Sequence, residues 1–338
     1  DAEARGEEIP GLTLAWHCYR SGRVELAEPY LIRGAREALT RGGCFEAELA
    51  IHSAFNGTAL QRRDAAALLL AEALQEQGRW KESVEPIRPI LIAENPNWLA
   101  ATALELRARA ALAQQAEECR DLLDRILSLL GAEVDLESVH PAVYAASRLS
   151  WHLQESDALY SRLRSLVDRA QDPSVKAVLV AAMMGAVHRR EGASALEQLG
   201  LIAAGVSQTC EEAGVENGAR FTLENTRACA EISLGNYAKA AQICAVAREV
   251  SIRMGSDEHR SAAAANLAMC SGRLGSYSEQ QRWSHEAIKH SGTSTPSWRL
   301  EKARFYLASA LAMSGQTRAA MEVKLPEDSS LAGSPAWM

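Results

Sequence analysis

The chain has 338 residues, of which 47% are hydrophobic and 23% charged, as in an ordinary folded protein. Only 5% are aromatic, while alanine, the residue with the highest helix propensity, is abundant. The net charge is −7 and Lys and Arg form no cluster, which argues against direct binding to nucleic acid through its phosphates. The longest strongly apolar run, residues 177–187, is too short to cross a bilayer. We therefore expect neither nucleic acid nor a membrane among its partners.

Seven cysteines are scattered singly along the chain, with no CxxC pair. An odd number without regular spacing predicts free thiols that pack as small apolar groups. Because disulfides are rare in the cytosol, and no signal peptide opens the sequence, we expect a cytoplasmic protein. The opening residues DAEARGEE lack an initiator methionine, which favours a segment of a longer protein.

Residues 64–97 predict a helical hairpin. An apolar stretch begins after Asp64, a predicted N-cap, and ends at Gly78. A second helix follows and stops at Asn95-Pro96.

Two prolines interrupt that second helix. Pro86 and Pro89 lie beyond its predicted first turn, where each proline removes a backbone hydrogen bond and crowds the preceding turn. We predict that this helix is kinked or starts late.

Similar helix signals recur further along the chain. Asp172-Pro173 and Thr295-Pro296 each place a capping side chain before a proline at the first helical position. No segment shows the alternation and turn chemistry of a strand. We therefore predict an all-α protein of about sixteen helices in roughly eight antiparallel hairpins, with an irregular tail at 326–338.

A glycine recurs every 40 residues in the C-terminal third, at Gly235, Gly275 and Gly315. An even period of this length is typical of a stacked repeat protein. We predict that each glycine ends the first helix of a hairpin in the left-handed conformation, which costs least without a Cβ. A large residue often follows two places later, and a small one five places later, where the second helix must approach the first. Gln280 breaks the second rule.

This order of glycine, bulky and small residues resembles the tetratricopeptide repeat family. The best fit is carried by Leu70, Ala71, Leu74, Gly78, Trp80, Ser83 and Pro96. Residues 98–215 keep helical pairs but lose the signature. The 40-residue spacing is similar to the long-repeat variety that follows the ATPase modules of bacterial regulators, such as the maltose-regulon activator type.

The resemblance implies a right-handed α-solenoid, a single superhelix over residues 1–325. In such a solenoid each hairpin packs only on its neighbours, and we expect an open curve. The implied role is a non-catalytic scaffold for protein interaction or ligand sensing in a larger signalling or transcription-regulating protein.

The sequence offers little evidence for catalysis, a metal or a cofactor. His285, Glu286 and His290 form HExxxH, one residue longer than the HExxH zinc motif. A separation of five turns the second histidine away from the first, whereas i and i+4 share a helical face. No phosphate-binding loop, dinucleotide fingerprint or nucleophile elbow is present. We predict no catalytic residue, no metal ligand and no cofactor.

A helical-toroid enzyme acting on a glycan or small molecule is the alternative. Such enzymes resemble this chain in length and helix count, and a closed ring of helices would favour them. Their clefts are rich in aromatic and acidic residues, which 5% aromatic residues support poorly. The widely spaced tryptophans are instead expected to pack between helices: Trp16, Trp80, Trp98, Trp151, Trp283 and Trp298.

In the resembled family the first helix of each hairpin lines a concave face. Counting back from the turn glycines places three residues at intervals of about 40 on that face, with two cations beside them. The corresponding N-terminal surface carries three more polar residues. The predicted binding residues are Asn225, Asn266, Tyr306, Arg273, Lys302, Glu72, Gln75 and Glu76. The expected partner is a protein, a peptide or a small-molecule effector; an ordinary solvated surface is the other interpretation.

Overall fold

A computed structural model of the chain describes residues 9–57, 63–93, 96–113, 116–130, 135–150, 157–188, 193–291 and 297–324. These residues form seventeen α-helices and no strand, so the all-α prediction is confirmed. In chain order the helices are α1 Gly11–Arg20, α2 Val24–Thr40, α3 Cys44–Gly57, α4 Arg63–Glu76, α5 Arg88–Ile92, α6 Trp98–Leu112, α7 Ala116–Leu129, α8 Leu136–Ser150, α9 Asp157–Val167, α10 Pro173–His188, α11 Ala193–Glu212, α12 Gly218–Ser233, α13 Tyr237–Arg253, α14 Asp257–Arg273, α15 Tyr277–Lys289, α16 Ser297–Met313 and α17 Thr317–Glu322.

The repeated glycines end helices as predicted. Their φ angles are +79°, +76° and +77° at Gly235, Gly275 and Gly315. After α12, the amide of Asn236 donates to the carbonyl of Glu231 (2.8 Å) and the amide of Gly235 donates to that of Ile232 (3.0 Å). These are the two hydrogen bonds of a Schellman motif, which requires a left-handed residue after the helix.

The prolines delay the second helix of the 64–97 hairpin, as predicted. A turn and a 3₁₀ segment at Glu82–Val84 come first, and α5 covers only Arg88–Ile92. Pro89 falls in the first turn of α5, where its missing amide has no intrahelical partner to lose.

The capping predictions have different outcomes. The Asp172 carboxylate accepts a hydrogen bond from the Val175 amide (3.0 Å), and Pro173 is the first residue of α10, so this cap is confirmed. Asp64 lies in the first turn of α4 instead of preceding it, because α4 begins at Arg63. Asn95, Thr295-Pro296 and the tail 326–338 lie outside the described residues.

The even-numbered helices form a continuous layer, and from α2 to α16 each contacts the next even-numbered helix. The odd-numbered helices pack beside their neighbours in sequence. The largest apolar core runs from Ala103 to Ala230 and is rich in Leu, Val and Ala. It covers most of residues 98–215, so the stretch that lost the repeat signature has kept its packing.

Gln280, the exception among the small residues, is accommodated by Gly272 on the facing helix. Gln280 is buried, and a Cβ on Gly272 would lie only 2.6 Å from its Oε1. In the preceding hairpin the corresponding positions hold Ile232 and the fully buried Ala240, so the large residue is on the first helix and the small one on the second. We infer that two positions share one space in each hairpin: the third before the turn glycine and the fifth after it. A large side chain at one requires a small residue at the other.

A double-mutant cycle tests this shared volume. We expect Gly272→Ala alone to lower the free energy of unfolding by about 1–2 kcal/mol, because overpacking exceeds the helix-propensity gain of about 1 kcal/mol. With Gln280→Ala already present, the same change should be stabilising by about 1 kcal/mol, since the space is then free. Urea unfolding of the four proteins measures the coupling. Additive effects would show that the two side-chain positions are independent.

Residues near the start of the chain also contact residues far along it. The Glu216 amide donates to the Thr40 carbonyl (2.8 Å), and the Cys44 thiol donates to the Met254 carbonyl (2.9 Å). These partners are 176 and 210 positions apart in sequence. The expectation that each hairpin packs only on its neighbours, as in an open curve, is wrong for these segments. Backbone and thiol groups at the turns supply the contact, and such groups leave no signature in a sequence.

The tryptophans do not share one role. Trp80 is buried, as expected, whereas Trp16 is 58% exposed and Trp98 is 46% exposed. The prediction that they pack between helices is therefore wrong for Trp16 and Trp98. The side chains of Trp151 and Trp298 lie outside the described part of the structure.

Candidate functional site

Three consecutive even-numbered helices bring the predicted C-terminal binding residues together. Asn225 lies on α12, Asn266 on α14 and Tyr306 on α16. The Asn266 amide donates to Asn225 Oδ1 (3.0 Å) and to the Cys229 sulfur (3.7 Å). Asn266 is only 7% exposed, so the expectation that it stands free in a groove is wrong. It joins α14 to α12.

Two cations act on Tyr306. The Lys302 amine, one turn earlier on α16, is 5.8 Å from the centre of the Tyr306 ring. Arg273, at the end of α14, opposes the effect of burial, which raises the pKa of Tyr306. The Tyr306 hydroxyl donates to the thioether sulfur of Met269 (3.0 Å). We call Asn225, Asn266, Arg273, Lys302 and Tyr306 the C-terminal row.

Three thiols lie close to the C-terminal row. Burial raises the pKa of Cys229, and the Lys302 charge opposes that increase. The Cys244 thiol hydrogen-bonds to the Cys270 sulfur, which raises the pKa of Cys244 and lowers that of Cys270. All seven cysteines are free, and five are buried, which confirms the prediction of unpaired thiols in the described residues.

The predicted N-terminal binding residues occupy a different environment. Gln75 is completely buried, and its amide donates to the Leu104 carbonyl (2.8 Å) and the Ser83 hydroxyl (3.2 Å). Gln75 therefore ties α4 to the turn that follows it and to α6. Its expected position on an accessible binding surface is wrong, because its amide is directed at Ser83 and Leu104 in the interior instead of at solvent.

Glu76 belongs to a buried polar junction. Its Oε1 pairs with the Arg107 guanidinium (2.6 Å), and its Oε2 accepts a hydrogen bond from the Gly218 amide (2.9 Å). The Arg107 guanidinium also lies over the Tyr144 ring, 3.9 Å from its centre. We call Glu76, Arg107, Tyr144 and the Gly218 amide the polar junction. It connects α4, α6, α8 and α12, and it is not an exposed binding surface as predicted for Glu76.

Glu72 lies one turn before the junction and is half-buried. Its Oε1 is 3.6 Å from His140 Nε2. Burial alone would raise the pKa of Glu72, but the hydrogen bond and charge of His140, with Arg107 and Arg36, hold it below its usual value. Of the three predicted N-terminal residues, Glu72 is therefore the one that keeps partial access to solvent.

Trp80, Glu258 and Arg299 link this region to the C-terminal row. The Trp80 indole donates to Glu258 Oε2 (2.9 Å), and Glu258 Oε1 is 3.4 Å from the Arg299 guanidinium. Arg299 lies three residues before Lys302 on α16. The Glu258 carboxylate on α14 is thus bound by Trp80 from the N-terminal half and by Arg299, which is one helical turn from Lys302.

The HExxxH residues have other roles. Glu286 accepts hydrogen bonds from Arg248 and Arg260, both at 2.9 Å, and His290 Nδ1 lies 2.6 Å from an Asp257 carboxylate oxygen. His285 is exposed. Across the described ranges, no group of three His, Cys, Asp or Glu side chains is arranged to hold a metal ion.

Sequence reasoning missed Arg107, His140, Tyr144 and Arg299. A signal for Arg107 exists, because its neighbours one turn away in either direction are apolar: Ala103, Leu104, Ala110 and Ala111. A cation on an apolar helical face has to find a buried partner. The identity of that partner, Glu76, required the structure.

None of the helices in the part of the chain described here is long and apolar enough to cross a membrane. Comparison with known protein families finds no matching family model, and comparison with curated proteins finds no significant match.

Proposed function

We propose that this chain is a non-catalytic scaffold that binds a protein, a peptide or a small-molecule effector. Its helical hairpins stack as a right-handed, tetratricopeptide-like α-solenoid, the repeat region of a larger bacterial signalling or transcription-regulating protein. The proposal is supported by one observation above all. The C-terminal row places two amides, a phenol and two cations on α12, α14 and α16.

The solvent exposure of the residues in the C-terminal row supports binding at Lys302, Tyr306 and Arg273. Asn266 is buried, whereas Lys302 and Tyr306 are half-buried and Arg273 is exposed. Half-buried aromatic and cationic side chains fit a binding surface, because they offer both apolar area and hydrogen-bond donors. Asn225 and Asn266 then act as a support that keeps α12 and α14 in register.

Tyr306→Ala tests the proposal. A partner is first captured from the native host and purified, then titrated against the wild type, Tyr306→Ala and Tyr160→Ala, a control on α9. Because tyrosine is frequent among binding hot spots, we expect Tyr306→Ala to cost about 2 kcal/mol, roughly a 30-fold loss of affinity. Tyr160→Ala should leave affinity unchanged. Equal affinities for all three proteins, with equal melting temperatures, would contradict binding at the row.

A helical-toroid enzyme is the second candidate, because the chain touches itself between residues 40–80 and 216–258. Acidic and aromatic side chains do meet there, including Glu72, Trp80 and Tyr144. Against this candidate, the Glu76 and Glu258 carboxylates are each engaged by an arginine, so neither is available to contact a substrate. Turnover of an oligosaccharide that Glu72→Gln abolishes would favour the enzyme.

A further inference from the structure

Lys302 is a half-buried cation with no carboxylate partner among the described residues. Within the described residues its amine has neither an ion pair nor a hydrogen bond, and it lies 5.8 Å from the centre of the Tyr306 ring. Six buried or half-buried arginines each pair with a glutamate: Arg107, Arg220, Arg227, Arg248, Arg260 and Arg299. A cation removed from water without a counter-charge is costly.

The charges around the Lys302 amine also indicate that it lacks a counter-charge. Burial lowers the pKa of Lys302, and the Arg299 guanidinium lowers it further against the opposing influence of the three thiols. The Glu258 carboxylate, which contacts Arg299 one turn before Lys302, is already shared between Arg299 and Trp80. Lys302 therefore has positive charge beside it and no carboxylate in contact.

The two neighbouring donors also lack a strong acceptor. The Tyr306 hydroxyl donates only to the Met269 thioether, which is a weak acceptor. The Arg273 guanidinium makes no ion pair among the described residues, and it lies over the Tyr237 ring, 5.9 Å from its centre. An amine, a phenol and a guanidinium thus lie together with their hydrogen-bonding capacity unused.

We infer that Lys302, Arg273 and Tyr306 bind an anionic oxygen group, a carboxylate or a phosphate, carried by the ligand of this scaffold. The inference rests on the proposed function and specifies the chemistry of what the C-terminal row recognises. A bound anion would supply Lys302 with its missing counter-charge and give the Tyr306 hydroxyl a stronger acceptor than a thioether. Asn266 does not take part directly, because its amide is held by Asn225 and Cys229.

The test titrates the purified chain with four probes at constant low ionic strength: inorganic phosphate, succinate, a hexaglutamate peptide and uncharged glycerol. Low salt is needed because screening weakens exposed charge interactions. Lys302→Met removes the charge while keeping the length of the side chain. Lys239→Met is the matched control, since Lys239 is an exposed lysine paired with Glu231 (2.6 Å) on α13.

We expect saturable binding of at least one anion and none of glycerol. Affinity for that anion should fall tenfold or more in Lys302→Met and stay unchanged in Lys239→Met. Preference for phosphate over succinate and hexaglutamate would identify a phosphate ligand, and the reverse a carboxylate. A second readout is the titration of the amine after ¹³C reductive methylation, followed by NMR. By linkage, an anion that binds the charged amine tenfold better should raise its pKa by about one unit.

Equal anion binding by the wild type and Lys302→Met would overturn the inference, as would the absence of saturable binding by any anion. Arg273→Gln guards against a folding artefact, because Arg273 is exposed and its loss should weaken anion binding without changing the melting temperature. If Tyr306→Ala abolishes partner affinity while Lys302→Met changes neither partner nor anion binding, the proposed scaffold stands and the anion site fails. If anions bind through Lys302 but substitutions in the C-terminal row leave partner affinity unchanged, the proposed function fails and the anion site stands.

Discussion

Arg107→Met is expected to lower the free energy of unfolding by about 3–5 kcal/mol, because it leaves the Glu76 carboxylate buried and without its counter-charge. The side chains of Arg107 and Glu76 are only 5% and 6% exposed, and the Arg107 guanidinium nitrogen lies 2.6 Å from Glu76 Oε1. The same substitution removes the cation from the face of the Tyr144 ring. Urea unfolding followed by circular dichroism measures the loss.

Two further variants separate charge from packing. Adding Glu76→Gln to Arg107→Met should recover about 2 kcal/mol or more, because an uncharged amide is far cheaper to bury and can still accept the Gly218 hydrogen bond. Arg109→Met is the control on the same helix. Arg109 is exposed and pairs weakly with Glu105 at 3.9 Å, so its loss should cost no more than about 0.5 kcal/mol. A large effect of Arg109→Met, or none of Arg107→Met, would contradict the polar junction.

Gly42→Ala is expected to lower the free energy of unfolding by about 2–5 kcal/mol. Gly42 has a φ of +81°, where an alanine costs about 1–2 kcal/mol. A Cβ there would also lie 2.5 Å from the Glu216 carbonyl oxygen and 3.2 Å from the Met254 side chain. The backbone oxygen cannot move aside like a flexible side chain, so the clash adds about 1–3 kcal/mol.

Gly22→Ala isolates the conformational part of that loss. Gly22 also ends a helix with a positive φ, +74°, but a Cβ on it would meet no atom within 4 Å. It should therefore lose only about 1–2 kcal/mol. The difference between the two substitutions, measured by chemical unfolding, reports the contact between residues 40–44 and residues 216–254. Equal losses would mean that this contact does not stabilise the protein.

The local structure was predictable because it depends on single residues with few backbone options. The repeated glycines had to end helices, and Pro86 and Pro89 had to delay α5, since φ and the missing amide leave little alternative. Helix caps were less certain, as Asp64 shows, because one residue decides whether an acidic side chain precedes the helix or lies in its first turn.

The candidate site was predictable only in part. Asn225, Asn266 and Tyr306 came from counting back nine or ten residues from turn glycines. They lie on α12, α14 and α16, and the first two are hydrogen-bonded to each other. Gln75, three residues before Gly78, was expected on the corresponding N-terminal surface, but its amide contacts Ser83 and Leu104 in the interior. Gly272 occupies the same position before Gly275 and faces Gln280. The distance of Gln75 from its turn glycine could therefore have indicated that it is buried.

The contacts between distant segments could not have been read from the sequence. The Glu216 amide bonds to the Thr40 carbonyl, and a backbone bond has no residue preference. The polar junction likewise combines Glu76 and Arg107 with a backbone amide, that of Gly218. The apolar neighbours of Arg107 indicate that it needs a buried partner, but they do not identify Glu76 or the Gly218 amide.

The backbone amide that completes the polar junction affects how the chain must be made. Glu76 leaves the ribosome 142 residues ahead of Gly218. At synthesis rates of 5–20 residues per second, the N-terminal helices wait about 7–30 s for that partner. Glu76 and Arg107 can pair during this time, only 31 residues apart, while the second carboxylate oxygen stays in water. Closure of the junction is therefore a late step, and a nascent chain that stalls before residue 218 would expose the unfinished face of α4 and α6 to chaperones.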